Sequence, residues 1–190
     1  MALLNIALGK TLKHEGGYVN DPDDPGGETY RGISRVHHPD WRGWRIIDKE
    51  GAAVNSRTFS TNYLLQQEVV GFYQDHFWDK LLCGQMDNQD VANIVFDQAV
   101  NMGTRRTVKY LQVAVNALNR NEKAYANLVE DGICGEKTIA AVNTCCNMNH
   151  GAGYLVKAIN ILRGAYYMGR VSKKPSQRKY IRGWLNRVEV

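Results

Sequence analysis

The sequence predicts a mainly α-helical fold, with a helical-bundle core and one small irregular or β-hairpin region near residues 18–35. Along most of the 190 residues, apolar side chains recur at the spacing of one helix face. Turn-forming residues, in contrast, are concentrated in 18–35. No linker, repeat or low-complexity tract separates the two halves, so we expect them to pack together.

The first element is predicted to be a helix that begins near Leu4 and stops at Gly16-Gly17. Its apolar residues share one face, Lys10 and Lys13 lie on the wetter side, and glycine is the usual residue for a left-handed helix end. Three turn signals follow it: Asn20-Asp21-Pro22, Asp24-Pro25-Gly26-Gly27 and Arg31-Gly32. They predict an ordered, hairpin-like region.

The middle of the chain is predicted to hold two helices. Residues 37–51 are expected to be irregular or short-helical. Ser60-Thr61 is predicted to cap a helix over 64–78, because both side chains can accept a hydrogen bond from the first helical turn. Residues 90–102 are apolar nearly all round, which predicts a buried helix.

The second half is also predicted to be helical. Helices are expected over 105–118, 137–142 and 154–168, with a turn at Asp131-Gly132. The segment after residue 168 is rich in Lys and Arg, with Tyr180 and Trp184 interleaved.

Charge and composition limit the class of protein. Lys and Arg number 24 against 19 Asp and Glu, a net charge of +5. The 44% apolar and 23% charged residues are ordinary for a soluble globular protein and exclude disordered and fibrous classes. Polar residues interrupt every long apolar run, so we expect no stable membrane insertion. The positive balance favours an anionic partner: nucleic acid, an acidic membrane or a cell wall.

The cysteines and the N-terminus predict the compartment. The four cysteines lack metal-ligand spacing and are expected to be buried free thiols, which favours a reducing environment: Cys83, Cys134, Cys145 and Cys146. The first residues have neither a basic region nor a cleavage site, so we predict no signal peptide and a cytoplasmic protein as made.

Glu15 is the strongest candidate for acid catalysis. It is expected in the last turn of the first helix, where the helix dipole and partial burial would both raise the pKa of its carboxyl group. A carboxyl group that stays protonated near neutral pH can protonate the leaving oxygen of a glycosidic bond. Asp21 or Asp24 could return a second carboxylate across the turn, and Thr29 could orient a water. The alternative is a solvated Glu15 beside carboxylates that only form turns.

A long motif in this region resembles a known family. Residues 15–33 read Glu-Gly-Gly-Tyr-Val-Asn-Asp-Pro-x-Asp-Pro-Gly-Gly-x-Thr, followed by Gly-Ile. This is similar to the signature of glycoside hydrolase family 108, whose members are N-acetylmuramidases, many of them phage endolysins or prophage remnants. The resemblance continues through 96–103, and 131–138 and 183–188 resemble a predicted peptidoglycan-binding region. It implies a lysozyme-like α+β fold, with a catalytic region at 1–105 and a helical peptidoglycan-binding region at 106–190 packed on it.

The resemblance also implies roles for the candidate residues. The family's catalytic glutamate corresponds to Glu15. The spacing from Glu15 to Asp24 is similar to the Glu-to-Asp spacing of phage lysozymes, which also carry a Thr in the site. This favours Asp24 over Asp21 as the second carboxylate and places Thr29 beside it. Each aspartate adjoins a proline, however, and either can instead serve as a turn former.

Four further residues are predicted to contact substrate: Tyr18, Tyr30, Asp97 and Asn101. A tyrosine ring can stack on a sugar face. Asp97 and Asn101 are four residues apart and therefore share one face of a helix. They either line the floor of the cleft or satisfy buried polar groups.

These observations predict a monomeric peptidoglycan hydrolase that cleaves the β-1,4 bond between N-acetylmuramic acid and N-acetylglucosamine. No metal or cofactor is expected, because two carboxylates and a distorted sugar supply the chemistry. Two alternatives remain open: a lytic transglycosylase, and a non-catalytic wall-binding or secretion-assisting protein. The partner is expected to be peptidoglycan rather than nucleic acid, and a holin is the family's usual route to the wall.

Overall fold

The computed structural model describes residues 1–13, 17–20, 27–50 and 56–188, and for residues 56–58 it describes the backbone alone. Within these ranges the chain forms nine α-helices and one three-stranded antiparallel sheet. The predicted mainly α, lysozyme-like fold with a small β region is therefore confirmed.

The elements follow one another along the chain with short connections. The helices are α1 (Leu4–Thr11), α2 (Gly43–Glu50), α3 (Ser56–Thr61), α4 (Tyr63–Tyr73), α5 (Gln89–Met102), α6 (Thr104–Leu118), α7 (Glu136–Asn147), α8 (Gly151–Lys173) and α9 (Ile181–Leu185). A π-helical turn at Gln74–Trp78 extends α4, and 3-10 turns lie at Cys83–Gln85 and Pro175–Tyr180. The strands are β1 (Tyr18–Val19), β2 (Thr29–Tyr30) and β3 (Ile33–Ser34).

Helix α5 is the centre of the core. Val91, Val95, Phe96 and Ala99 are completely buried, as the all-round apolar pattern of this segment predicts. The helix packs against α1, α6 and α8, so both halves of the sequence share it. Asn88 caps its N-terminus by accepting from two backbone N–H groups.

The small sheet is a tight meander fixed to the helical core. Tyr18 pairs with Tyr30, and Tyr30 pairs with Ile33 in the next hairpin. Arg31 and Gly32 turn this hairpin with φ values of 46° and 79°. Two consecutive positive φ angles are typical of a type I′ hairpin. The Tyr73 hydroxyl on α4 donates to the carbonyl of Arg31 at 2.7 Å and so holds the turn against the helices.

Several predicted helix boundaries were wrong, and α7 and α8 both extend beyond the predicted ranges 137–142 and 154–168. Helix α1 ends at Thr11, before the predicted stop at Gly16-Gly17, and the N–H of Leu12 donates to the carbonyl of Leu8 at 2.9 Å. Ser60-Thr61 does not cap the next helix, because both residues belong to α3; the Oδ1 atom of Asn62 caps α4 by accepting from the N–H of Leu65.

The four cysteines are free thiols in buried or half-buried positions, as predicted. Among the helices of the described ranges, none combines the length and the apolar character needed to cross a bilayer.

Candidate functional site

The predicted acid and both predicted second carboxylates, Glu15, Asp21 and Asp24, lie outside the described residues, so their roles stay predictions. The chain that follows Glu15 and the chain on either side of residues 21–26 are held in one sheet. The Arg31 N–H donates to the carbonyl of Gly17 at 3.2 Å, two residues after Glu15. The strands that flank 21–26 are hydrogen-bonded neighbours.

Thr29 lies at the start of β2 with a half-buried side chain. Its hydroxyl donates to the carbonyl oxygen of Gly27 at 3.1 Å. A hydroxyl has one proton and two lone pairs, so the Thr29 oxygen still has acceptor capacity. The Thr29 oxygen can therefore accept a hydrogen bond from a water molecule, as a residue that orients a water must.

Tyr18 belongs to a chain of polar contacts along the sheet. Its hydroxyl donates to Oε1 of Glu28 at 2.9 Å, and the other Glu28 oxygen faces Arg35 at 3.1 Å. Arg35 also donates to Asp48 at 2.7 Å. Burial raises the pKa of Tyr18, and the hydrogen bond to Glu28 raises it further. The Tyr18 hydroxyl is thus kept as a donor to Glu28.

Tyr30 is part of the core rather than of a surface that could contact substrate. Its side chain is 1% exposed, and its ring lies edge-on to Phe59 at 5.7 Å and parallel to Trp41 at 6.5 Å. The hydroxyl accepts from Nε2 of Gln66 at 2.9 Å. Because protein atoms cover the ring, it offers no face to a sugar in this structure, and the substrate contact predicted for it is not supported.

Asp97 and Asn101 contact Arg163 and Tyr167 of α8, and Asp97 also contacts Arg187 near the end of the chain. Asp97 Oδ2 accepts from Nη2 of Arg163, and Oδ1 accepts from Nη1 of Arg187 at 3.1 Å. Asn101 Oδ1 accepts from the Tyr167 hydroxyl at 2.6 Å, and this hydroxyl accepts from Nε of Arg163 at 3.0 Å. Burial raises the pKa of Tyr167. Both predicted residues therefore satisfy buried polar groups, as one of the two alternatives left by the sequence expects, and their contact with substrate stays a prediction.

A cavity of about 400 Å³ opens beside this network, between α5 and α8. Asp97 and Arg187 form one side of it, and Ile94 and Val156 supply apolar walls. Among the described residues, four asparagines also line it: Asn93 on α5, Asn160 on α8, Asn88 and Asn186. Its volume is in the range of small-molecule sites. Asp97 is thus both a structural acceptor and a lining residue.

The predicted residues fall into two groups. Tyr18 and Tyr30 are joined through Phe59, whose ring lies 5.2 Å and 5.7 Å from theirs, and Thr29 is in the same sheet. Asp97 and Asn101 form the second group through Arg163 and Tyr167. The two groups are linked through the core. Phe96, next to Asp97 on α5, lies 6.1 Å from the Tyr73 ring, and the Tyr73 hydroxyl donates to Arg31 in the sheet.

Sequence reasoning missed Glu28, Asn160 and Arg163. Glu28 occupies a position that the motif leaves open, so the motif carried no signal for it. Asn160, Arg163 and Tyr167 are spaced three and four residues apart along α8 and lie buried on one face. Polar residues at that spacing on an otherwise apolar face were the available signal.

Comparison with known proteins extends over nearly the whole chain. The family model described as Glycosyl hydrolase 108 matches residues 8–103, and the model described as Predicted Peptidoglycan domain matches residues 101–189. Among solved structures, the chain is similar to SagA of Brucella abortus, at 25% identity and a TM-score of 0.63. The alignment covers 97% of this chain and 88% of that chain. No match was found among curated proteins.

Proposed function

The chain belongs to glycosyl hydrolase family 108, and we propose that it is an N-acetylmuramidase that cleaves the β-1,4 bond between N-acetylmuramic acid and N-acetylglucosamine. As a family member whose second half matches a peptidoglycan domain, it is a peptidoglycan hydrolase. The observation that carries the finer proposal is the family match at 8–103, which contains the complete Glu15-to-Ile33 motif.

In the proposed mechanism, Glu15 protonates the leaving glycosidic oxygen. Asp24, or Asp21 in its place, assists a water or stabilises the developing positive charge on the sugar. Thr29 accepts a hydrogen bond from that water through the lone pairs that its bond to Gly27 leaves available. Protein carboxyl and hydroxyl groups are sufficient for every step.

Product analysis on purified peptidoglycan tests the bond and the reaction. A hydrolase adds one water and leaves a reducing N-acetylmuramic acid end, whereas a lytic transglycosylase leaves an anhydro sugar of lower mass. Glu15→Gln should abolish release of fragments with an almost unchanged melting temperature. Glu136→Gln makes the same chemical change at an exposed carboxylate on α7 and should retain full activity.

The possible outcomes separate the alternatives. Full activity of Glu15→Gln would refute the catalytic assignment, and anhydro products would replace hydrolysis by transglycosylation. Binding of the wild type to insoluble wall without any release of reducing sugar would identify a non-catalytic wall-binding protein.

Thr29 has its own test, because two substitutions separate its hydroxyl from its shape. Thr29→Ser keeps the hydroxyl and should retain most activity. Thr29→Val keeps the shape, removes the acceptor and should lower kcat with little change in KM, since a bound water rather than the ground-state sugar is misplaced. Equal activity of the two variants would remove Thr29 from the mechanism.

The basic segment after residue 168, which includes the last turn of α8, supports attraction to an anionic wall. Arg170 stacks over Trp184 at 5.4 Å, and Lys179 lies over Tyr180 at 5.0 Å. Exposed cations of this kind act over about 10 Å and are screened by salt. Sedimentation with insoluble wall should therefore decrease as salt is raised.

We also propose that the protein is a monomeric endolysin or a prophage-derived enzyme that is made in the cytoplasm and released to the wall by a holin. The support is the resemblance to a family rich in phage endolysins. Co-expression with a holin should lyse cells that tolerate the enzyme alone. Lysis without the holin would refute the holin route. A secretion system that stops exporting its substrates when the enzyme is absent would favour the secretion-assisting alternative.

A further inference from the structure

Two asparagines that line the cavity between α5 and α8 have buried amide atoms without a hydrogen-bond partner among the described residues. Asn160 is 3% exposed, and within the described part of the chain neither its Nδ2 nor its Oδ1 atom has a hydrogen-bond partner. Asn93 is 7% exposed; its Oδ1 accepts from Gln89 at 2.7 Å, but its Nδ2 has no partner there. Unsatisfied buried amides are costly and need an explanation.

The charged groups of the cavity, in contrast, already face one another. Arg163 donates to Tyr167, to the carbonyl of Arg187 and to Asp97. Arg187 also donates to Asp97, and Lys10 lies 3.5 Å from Asp90 at the rim. With its cations facing carboxylates, the site is poorly suited to a phosphate or a free carboxylate. The lining atoms that lack a partner belong to neutral amides, so a neutral amide is the ligand group that matches them.

An acetamido group has the matching chemistry. Its carbonyl oxygen can accept from Nδ2 of Asn93 or Asn160, and its N–H can donate to Oδ1 of Asn160. The terminal torsion of asparagine is broad, so each amide can turn toward such a group. Ile94, Ala152 and Val156 supply the apolar surface that an acetyl methyl requires.

We propose that this cavity is an accessory binding site for an N-acetylated amino sugar of the glycan strand. The identity of the strand rests on the proposed function, whereas the preference for an acetamido group rests on the cavity itself. The site is built from both matched regions, with Asn93 in the first and Asn160 in the second. A strand bound there would be held by both halves of the chain at once.

Gly153 offers a way to close the cavity. It lines the cavity on α8, and a Cβ atom placed on it meets no atom within 4 Å. Gly153→Trp should therefore fold and obstruct the space. Gly169→Trp is the matched control, because Gly169 is also on α8 with open space around its Cβ but does not line the cavity.

The experiment measures binding of chitotriose to full-length protein in the Glu15→Gln background, with the side-chain amide signals of Asn93 and Asn160 followed by NMR. Chitotriose should shift both signals. Gly153→Trp should weaken the binding reported by these signals by about tenfold or more, and Asn160→Leu, which keeps the branched shape but removes the amide, should weaken the binding reported by Asn93 in the same way. Gly169→Trp should bind like its parent, and the deacetylated trimer should fail to bind.

Three results would overturn the proposal: unshifted Asn93 and Asn160 signals, undiminished binding by Gly153→Trp, or equal shifts with the deacetylated trimer or a short alanine peptide. Because binding is measured without turnover, it can fail while the wild type still cleaves peptidoglycan. Conversely, if chitotriose binds in the cavity but the wild type does not cleave peptidoglycan, only the proposed activity is refuted.

Discussion

The guanidinium of Arg163 on α8 lies against the carboxylate of Asp97 on α5 and is almost completely buried there. The same carboxylate also accepts from Arg187, after α9. One acidic side chain on the central helix therefore bonds two cations from the last part of the chain. This junction joins the region of the glycosyl hydrolase match to that of the peptidoglycan-domain match.

Asp97→Ala should strongly destabilise the protein. Removing one partner of a buried ion pair leaves an uncompensated charge and costs about 3–5 kcal/mol. Asp90→Ala is the matched control, because the Lys10–Asp90 pair is 3.5 Å long and exposed, and such pairs contribute about 1 kcal/mol or less. Urea unfolding followed by circular dichroism measures both. Equal losses in the two variants would show that the buried pair contributes nothing special.

The Arg163–Asp97 pair also shows what the sequence could not provide. The all-round apolar pattern of 90–102 predicted a buried α5, because apolar residues on every face of a helix indicate that it is buried. The two partners of Asp97 lie 66 and 90 residues away, and no local pattern identifies them. Asp97 and Asn101 could be placed on one helix face from their spacing. What they contact depends on how α8 packs against α5.

The start of α4 gives the same lesson at short range. Ser60, Thr61 and Asn62 are consecutive residues that all favour the N-cap position, and composition does not rank them. The choice depends on where α3 ends, and α3 continues through Thr61. Asn62 is then the first residue with extended backbone, at φ −74° and ψ 106°, as a cap requires.

Asn62→Ala should cost about 1 kcal/mol of unfolding free energy, because the N–H of Leu65 loses its acceptor. Asn62→Gly is the control: glycine is itself an acceptable cap residue, and this change should cost only a few tenths, about 0.3 kcal/mol. Thermal unfolding of both variants against wild type provides the measurement. A larger loss for glycine than for alanine would contradict the capping role.

Tyr30→Phe should affect stability and leave catalysis unchanged. The variant loses the hydroxyl that accepts from Gln66 at 2.9 Å, at a cost of about 1 kcal/mol, while the buried ring remains in place. Tyr63→Phe removes an exposed hydroxyl on α4 and should change stability by about 0.5 kcal/mol or less. Kinetics per folded molecule should match wild type in both. A raised KM in Tyr30→Phe alone would restore the predicted substrate contact.

Stability should fall as the pH rises above about 9, because buried thiols resist ionisation. Burial raises the pKa of Cys134 to about 11 and that of Cys146 to about 12, from an ordinary value of 9.0. Between pH 9 and 11 the unfolded chain therefore loses thiol protons that the folded chain keeps. Below pH 9 the free energy of unfolding keeps its full value. Between pH 9 and 11 it decreases, by at most about 1.4 kcal/mol per pH unit for each thiol.

Cys134→Ser isolates one of these thiols. The Cys134 thiol donates to the carbonyl of Leu81 at 3.1 Å, and a serine hydroxyl can keep a donor there without ionising at pH 10. Urea unfolding under reducing conditions at pH 8, 9 and 10 should give a shallower fall for this variant than for wild type. Comparing slopes rather than absolute stabilities cancels the change in packing. Identical slopes would show that Cys134 ionises in the folded protein as readily as in the unfolded chain.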